Sequence, residues 1–456
     1  MNEEKKYKFY GWETATVKDE RGLSIRDYYD ILSNLRKSFI MRFSKVLSIS
    51  SIGILMLALC GCAKEQTAAE ALVSPEPTVC VPVVSAPPED NDSAGVLSEK
   101  KSPQNSVNII MVGDILLHTP VEEAAKNDLT GAYNFDFIFE HSKGKIESAD
   151  IAIVNEEVII GGETLGISGY PAFNAPYEIG DALYKSGFDV VCHATNHALD
   201  KGKNGLVSCL AYWRSTHPDM IVTGIYDNAD SASSFPVIER NGIKIAILNY
   251  TYGTNGISAP KDMPYAVSML NKDRVITQLD LAEQTADFTI VCPHWGTEYN
   301  LGITKDQEKW AQIFREHGAD VVIGTHPHVI EPYLFYDDEI AGITNNHGNG
   351  DMLVYYSLGN FVNWTSGQGA GVANRMVGGM ADFTISKKAD GEVSIDSFTV
   401  DNYVCHVQSG DENVTVYPLD AYTEELAAQN EIRKQDSKFS KAYCTELCAK
   451  VYGIAE

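Results

Sequence analysis

The stretch Gly318-Ala-Asp-Val-Val-Ile-Gly-Thr-His-Pro-His-Val-Ile-Glu-Pro332 carries an apolar run, Val321 to Ile323, straight into a glycine and two histidines. A run this short and β-branched reads as a buried strand. Gly324 allows a sharp turn or a close backbone approach, and Pro327 restricts the link between His326 and His328. Two imidazoles held side by side at a strand tip can grip a metal ion. The same residues also fit an ordinary loop that carries two ordinary histidines. What favours the metal is that other strands of this chain end in the same way.

Val107 to Val112 is an apolar run that leads through Gly113 to Asp114, with His118 four residues later. Ile151 to Val154 delivers Asn155, Glu156 and Glu157, although adjacent glutamates also suit a solvated turn. Phe188 to Cys192 leads to Asn196 and His197, an amide–imidazole pair. Phe288 to Cys292 leads to His294, with Trp295 able to wall a pocket and Glu298 close behind. Leu353 to Leu358 leads through Gly359 to Asn360. Lys244 to Tyr250 adds a further strand, entered by a turn at Asn241-Gly242. Between these runs, residues 204–215, 273–286 and 305–317 have apolar positions at helical spacing, the last stopped by Gly318. The grammar is strand, polar tip, helix, that of an α/β fold, and open α/β sheets bind ligands beyond the carboxyl ends of their strands. A ligand set of carboxylate, amide and imidazole without thiolate suits one or two divalent ions of manganese, iron or zinc.

A formal net charge of -26 argues against nucleic acid as a partner, because phosphate binding needs a basic surface. It also means that a polyanion would be repelled without a bound cation. The apolar fraction of 44% is ordinary for a globular protein. Residues 1–40 are charged and aromatic and read as an upstream extension before a second start at Met41. Residues 41–62 read as a lipoprotein signal peptide: a basic stretch, an apolar run from Val46 to Cys60, and Leu59-Cys60-Gly61 before a lipid-anchored Cys62. An uncleaved anchor helix is the other reading of that run. Residues 63–105 are rich in Ala, Pro and Ser and read as a flexible linker. The expected placement is the extracytoplasmic face of the bacterial cell membrane, tied to the lipid bilayer. Residues 106–405 form the expected domain, and 406–456 a helical tail whose Thr423–Tyr452 part is a surface helix or a packing arm. Cys192 and Cys292 read as buried small residues, and Cys444 with Cys448 as one face of a helix.

Six ordered blocks resemble the capsule-synthesis protein CapA family, which includes the accessory protein of bacterial poly-γ-glutamate production. They are Val-Gly-Asp114, Asn155-Glu156, Thr195-Asn196-His197, His294-Trp-Gly-Thr-Glu-Tyr299, Gly324-Thr-His-Pro-His-Val-Ile-Glu-Pro332 and Tyr356-Ser-Leu-Gly-Asn-Phe361. The family looks like a relative of the calcineurin-like metallophosphoesterases, which implies a four-layer α/β/β/α sandwich. The resemblance implies a site lined by Asp114, Glu156, Asn196, His197, His294, His326 and His328. Metallophosphoesterases begin with Asp-x-His, whereas Asp114-Ile-Leu lacks that histidine, and Glu156 stands where they supply a bridging Asp.

Two functions fit. In the first, the protein is a metal-dependent hydrolase or transferase acting on a phosphoester or on amide bonds of an anionic polymer such as polyglutamate. Asp114, Glu156, His294, His326 and His328 then hold metal, Asn196 and His197 act in catalysis, and Asn155, Trp295, Glu298 and Asn360 line the substrate. In the second, the same cleft only binds the polymer, as a non-catalytic accessory subunit of a membrane capsule-synthesis complex. Turnover separates them.

Overall fold

Two β-sheets face each other across a shared apolar core. The computed structural model describes residues 105–336, 351–364, 367–408 and 414–453, with the short strand Val83–Val84. The expectations for residues 1–40, for the signal segment 41–62 with Cys62, and for most of the linker 63–105 lie outside the described residues. Within that linker, Val83–Val84 (β1) pairs in parallel with Val237–Arg240 (β6).

The first sheet runs Val414–Pro418 (β15), Val393–Val407 (β14), Val377–Lys387 (β13), Ser106–Ile115 (β2), Ile151–Glu156 (β3), Val190–Cys192 (β4) and Ile221–Thr223 (β5). Asn360–Val362 (β12) pairs onto the end of β2. The second runs β1, β6, Ile243–Thr251 (β7), Phe288–His294 (β8), Val321–Ile323 (β9), Met352–Tyr355 (β11) and Tyr333–Tyr336 (β10). Strands β2 to β5 are mutually parallel, as are β7, β8, β9 and β11. Each parallel set therefore delivers its carboxyl ends to one edge of its sheet.

Period-two alternation decides what each strand presents to each layer. Ile109, Met111, Ile153 and Cys192 meet Ile247, Ile290, Cys292 and Ile323 between the sheets. The intervening Ile110, Val112, Val154 and Val191 face outward and are covered by Ile146, Leu183, Leu206 and Trp213 of the helices. On the other outer face, Leu248, Val291 and Val322 pack on Val275, Leu279 and Phe314. Helices thus cover both sheets, in α/β/β/α order. Among the described residues no helix is long and apolar enough to cross a membrane.

The expected helices form at Gly202–Thr216, Lys272–Thr285 and Lys305–Glu316. The last starts at a capping box, where Thr304 accepts from the Gln307 N–H and the Gln307 side chain accepts from the Thr304 N–H. Cys192, Cys209, Cys292, Cys405, Cys444 and Cys448 are all buried free thiols.

The division at residue 405 is corrected. Strand β14 runs through it to Val407, β15 adds a further strand, and both belong to the first sheet. Helix Lys441–Tyr452 then packs Cys444, Leu447, Cys448 and Val451 into the core beside Tyr422 and Phe439. Residues 406–408 and 414–453 are part of the domain. Their charged surface hides an apolar stripe that only the sheet edge completes.

Candidate metal centre

The carboxyl ends of the two sheets converge on one buried cluster of carboxylates and imidazoles. Asp114 reaches it through a bulge. Strict alternation along β2 would turn Asp114 to the helix side, together with Ile110 and Val112. A register shift between Val112 and Asp114 pairs Asp114 with Asn155 instead, re-aiming its side chain. Gly113 permits this, because a Cβ there would lie 2.0 Å from the Gly359 carbonyl oxygen. The Asn155 amide donates to Asp114 Oδ1 at 2.9 Å, and the His326 N–H donates to Oδ2 at 3.3 Å.

His326 and His328 both adopt left-handed backbone, with φ of 99° and 58°. Such conformations are strained for side-chain-bearing residues and persist where the surroundings hold them. The close approach at Gly324 belongs to the same turn: a Cβ there would sit 2.0 Å from the Tyr356 carbonyl oxygen and 2.3 Å from Trp295 Nε1. The two rings are 5.6 Å apart between centroids, and His294 lies 4.8 Å from His326. Nδ1 of His328 is 3.2 Å from Asp114 Oδ2 and 3.0 Å from Asn360 Oδ1. His294 is held at both nitrogens, with Thr325 Oγ1 3.0 Å from Nδ1 and Asn196 Oδ1 2.9 Å from Nε2.

The glutamate at the centre is Glu157, not Glu156. Glu157 lies 3.7 Å from His294 Nε2, 3.7 Å from His328 Nδ1 and 4.0 Å from His197 Nε2. By alternation Glu156 shares the helix-facing side of β3 with Ala152 and Val154, where it acts on Cys209. Burial raises the Glu156 carboxyl well above its usual range, opposed by the Val158 N–H. Glu157, rather than the expected Glu156, is therefore the glutamate that faces the histidines.

Trp295 is also corrected. It follows inward-facing His294, so it turns outward, packing on Phe314 and Tyr356 and donating from Nε1 to the Tyr356 carbonyl at 2.9 Å. It supports the turn and does not line the site. Asn155 and Asn360 are buried within the cluster as orienting groups, whereas Glu298 is exposed at its rim within reach of His326 and His328.

Asn196 and His197 stand at the edge. His197 Nδ1 donates to Asp200 Oδ2 at 2.7 Å, which turns Nε2 towards Glu157, and Phe173 meets the ring edge-on. The Asn196 amide donates to Asn255 Oδ1 at 3.3 Å. Asp200, Asn255 and Asn249 lay outside the sequence expectations. Asn249 ties the sheets together, its Oδ1 accepting from the Ala194 N–H at 2.7 Å and its Nδ2 donating to the Cys292 carbonyl at 2.8 Å. Its odd position in β7, in step with Ile245 and Ile247, was the signal for an inward side chain. His118 is half-buried beside Phe173, and burial, aided by His328, His197 and Arg375, pulls it down to about 4.

Electrostatics sharpen the picture. Burial alone would lower His328, but Glu157 and Asp114 outweigh it and push the imidazole up to about 9. Burial and the neighbouring imidazoles hold His294 and His326 well below their usual range. Both Glu157 oxygens and His326 Nδ1 are buried without a hydrogen-bond partner. Groups left so incur a large penalty unless a cation or a proton answers them. Three overlapping sets have ligand atoms within 4.8 Å of one another: Glu157 with His294 and His326; Glu298 with His326 and His328; Asp114 with Glu157 and His328. The donor set fits a divalent transition metal. A separate cavity of about 670 Å³, lined by Trp213, Met220 and Phe235, contains none of these residues.

The family model for the bacterial capsule synthesis protein PGA_cap matches residues 108–365. The chain is 27% identical over 278 residues to the capsule biosynthesis protein CapA of Bacillus anthracis, covering 58% of this chain and 62% of that protein. It is 31% identical over 187 residues to the PGA biosynthesis protein CapA of Bacillus subtilis (strain 168), covering 40% of this chain and 45% of that one. The matches thus span less than two thirds of either relative. Among solved structures, NAD nucleotidase (NadN) of Haemophilus influenzae is a distant likeness, with a TM-score of 0.39 and 14% identity over 76% of this chain and 59% of that chain. The family model alone spans more than half of the chain and contains every residue of the cluster; the chain belongs to the bacterial capsule synthesis protein PGA_cap family.

Proposed function

We propose that this protein is a surface-anchored, metal-dependent hydrolase or transferase of capsule or poly-γ-glutamate synthesis, acting on a phosphoester or on polyglutamate amide bonds. The observation that carries the reading is the Glu157 carboxylate, buried without a hydrogen bond beside three histidines and Asp114. Asp114, Glu157, His294, His326 and His328 would hold one or two ions of manganese, iron or zinc. Bound there, such an ion supplies Lewis-acid polarisation and lowers the pKa of a water. His328, held charged by the carboxylates beside it, would have to give up a proton before it could serve as a ligand. His197, fixed through Nδ1 by Asp200, presents Nε2 to hold or move a proton at the edge of the centre. Asn196 orients the reacting oxygen.

The proposed setting is the extracytoplasmic face of the membrane, with Cys62 as the lipid anchor and a membrane capsule-synthesis complex as partner. The bound metal also answers the charge problem of an acidic protein handling an anionic polymer. The test is the metal content of the purified chain beside a His326→Ala/His328→Ala variant, followed by turnover of phosphoesters and polyglutamate. About one or two ions per chain, lost in the variant together with turnover, is the expected result. A wild type that binds no manganese, iron or zinc overturns the reading. Metal and polymer binding without turnover would leave the non-catalytic accessory role in its place.

A further inference from the structure

Asp114, Glu157 and Glu298 bring three carboxylates to the centre, their oxygens within 4.8 Å of the imidazole nitrogens in each overlapping set. Against these charges stands Arg375. Its guanidinium lies over the Tyr299 ring, 3.6 Å from the centroid. Tyr299 is half-exposed in left-handed backbone, φ 64°, with its N–H donating to the Pro327 carbonyl at 2.7 Å. Its ring centroid lies 6.0 Å from that of His328. The other end of the arginine is anchored to the same frame. Its carbonyl accepts from Asn360 Nδ2 at 3.0 Å, and Asn360 Oδ1 is 3.0 Å from His328 Nδ1. One asparagine thus fixes both the imidazole in the centre and the main chain of the cation beside it.

We propose that Arg375, laid on Tyr299, is the subsite that takes an oxyanion of the substrate, a carboxylate or a phosphoryl group, beside the metal centre. This rests on the functional reading above and names the charge of the group bound there. A guanidinium offers a planar fork of donors that matches either oxyanion. Stacking on a tyrosine face holds the fork in one plane, so less freedom is lost on binding. Without such a cation the surrounding carboxylates would repel the anionic group at every position the metal does not reach. The Arg375 charge is felt within the site: it aids burial in lowering His118 and opposes the rise that burial gives Tyr299.

The test uses the full chain loaded with manganese. Binding of inorganic phosphate, a short glutamate oligomer and the matching uncharged glutamine oligomer is measured by calorimetry for wild type, Arg375→Gln and Arg375→Lys. Metal content is measured on the same samples. The expected result is about a tenfold or greater loss of affinity in Arg375→Gln for phosphate or for the glutamate oligomer, with metal retained. Arg375→Lys, which keeps the charge and loses the fork, should recover part of it. Loss for phosphate alone assigns a phosphoryl group, and loss for the oligomer alone assigns a carboxylate. Equal affinity in wild type and Arg375→Gln overturns the proposal, as does a wild type that binds neither anion. A wild type without metal overturns the metalloenzyme reading instead, and the same titrations on that protein still decide the arginine.

Discussion

Glu157 sets its carboxylate 3.7 Å from Nε2 of His294, across the interface between two different sheets. The contact forms because β3 ends at Glu156 and β8 ends at His294, and both ends open on the same side of the sandwich. A buried carboxylate there, unbonded to any donor, makes the site dependent on what enters it.

Glu157→Gln should therefore weaken metal binding by about tenfold or more, since it removes an anionic ligand. Glu156→Gln should leave metal content unchanged, because that side chain faces the helix layer. Equilibrium dialysis with metal quantification checks both. Equal losses in the two variants would mean that Glu156 also serves the centre.

Asp200→Asn should keep the metal and lose turnover by about 10²-fold or more, the scale of a misdirected general acid or base. The asparagine no longer holds His197 with a proton on Nδ1. Asp200 also accepts from the Phe173 N–H at 2.8 Å, so a thermal melt belongs beside the kinetics. A variant with full turnover removes His197 orientation from the mechanism.

Gly324→Ala should destabilise the fold by about 1–3 kcal/mol, because its Cβ would collide with the Tyr356 carbonyl and the Trp295 ring nitrogen. Both colliding atoms belong to one hydrogen bond, at 2.9 Å, so neither can yield alone. Urea unfolding at neutral pH reads the cost directly. An unchanged midpoint would show that the turn has slack.

His193 supplies a pH test away from the metal ligands. Burial pulls its imidazole down to about 3, and Trp213 Nε1 donates to its Nε2 at 3.1 Å. The folded pKa lies below the unfolded one, so the unfolded chain binds more protons between the two values. Stability from this group is present above about 6.5 and falls with decreasing pH, by up to ~1.4 kcal/mol per unit, until about 3. Comparing wild type with His193→Gln in urea at pH 7 and pH 5, both with chelator, isolates the term. The variant should lose less stability on acidification than wild type, and a parallel loss in both would assign the slope to other groups.

Much of the site was readable locally. Asp114, Asn196, His197, His294, His326 and His328 each close a short apolar run, and an apolar run ending in a polar residue is a property of neighbouring positions alone. Trp295 was expected in the pocket wall, yet its outward turn follows from the same local rule, since a residue next to inward-facing His294 must turn outward in an extended chain. The same rule separates Glu156 from Glu157 once Ile151 and Ile153 are known to face the other sheet.

Other features have no local signature. The bulge that swings Asp114 into line depends on its pairing with β3, and two residues so far apart in sequence meet only when the sheet forms. The partnership of Arg375 with Tyr299 and the bridge from Asn249 to Ala194 are likewise contacts between distant segments. Residues 414–453 look like a charged tail until β15 pairs with β14 and their apolar side finds a core. Periodicity along the chain determined which side chains point the same way; which of them meet was decided by register and packing between segments, because those depend on contacts that no stretch of sequence makes with itself.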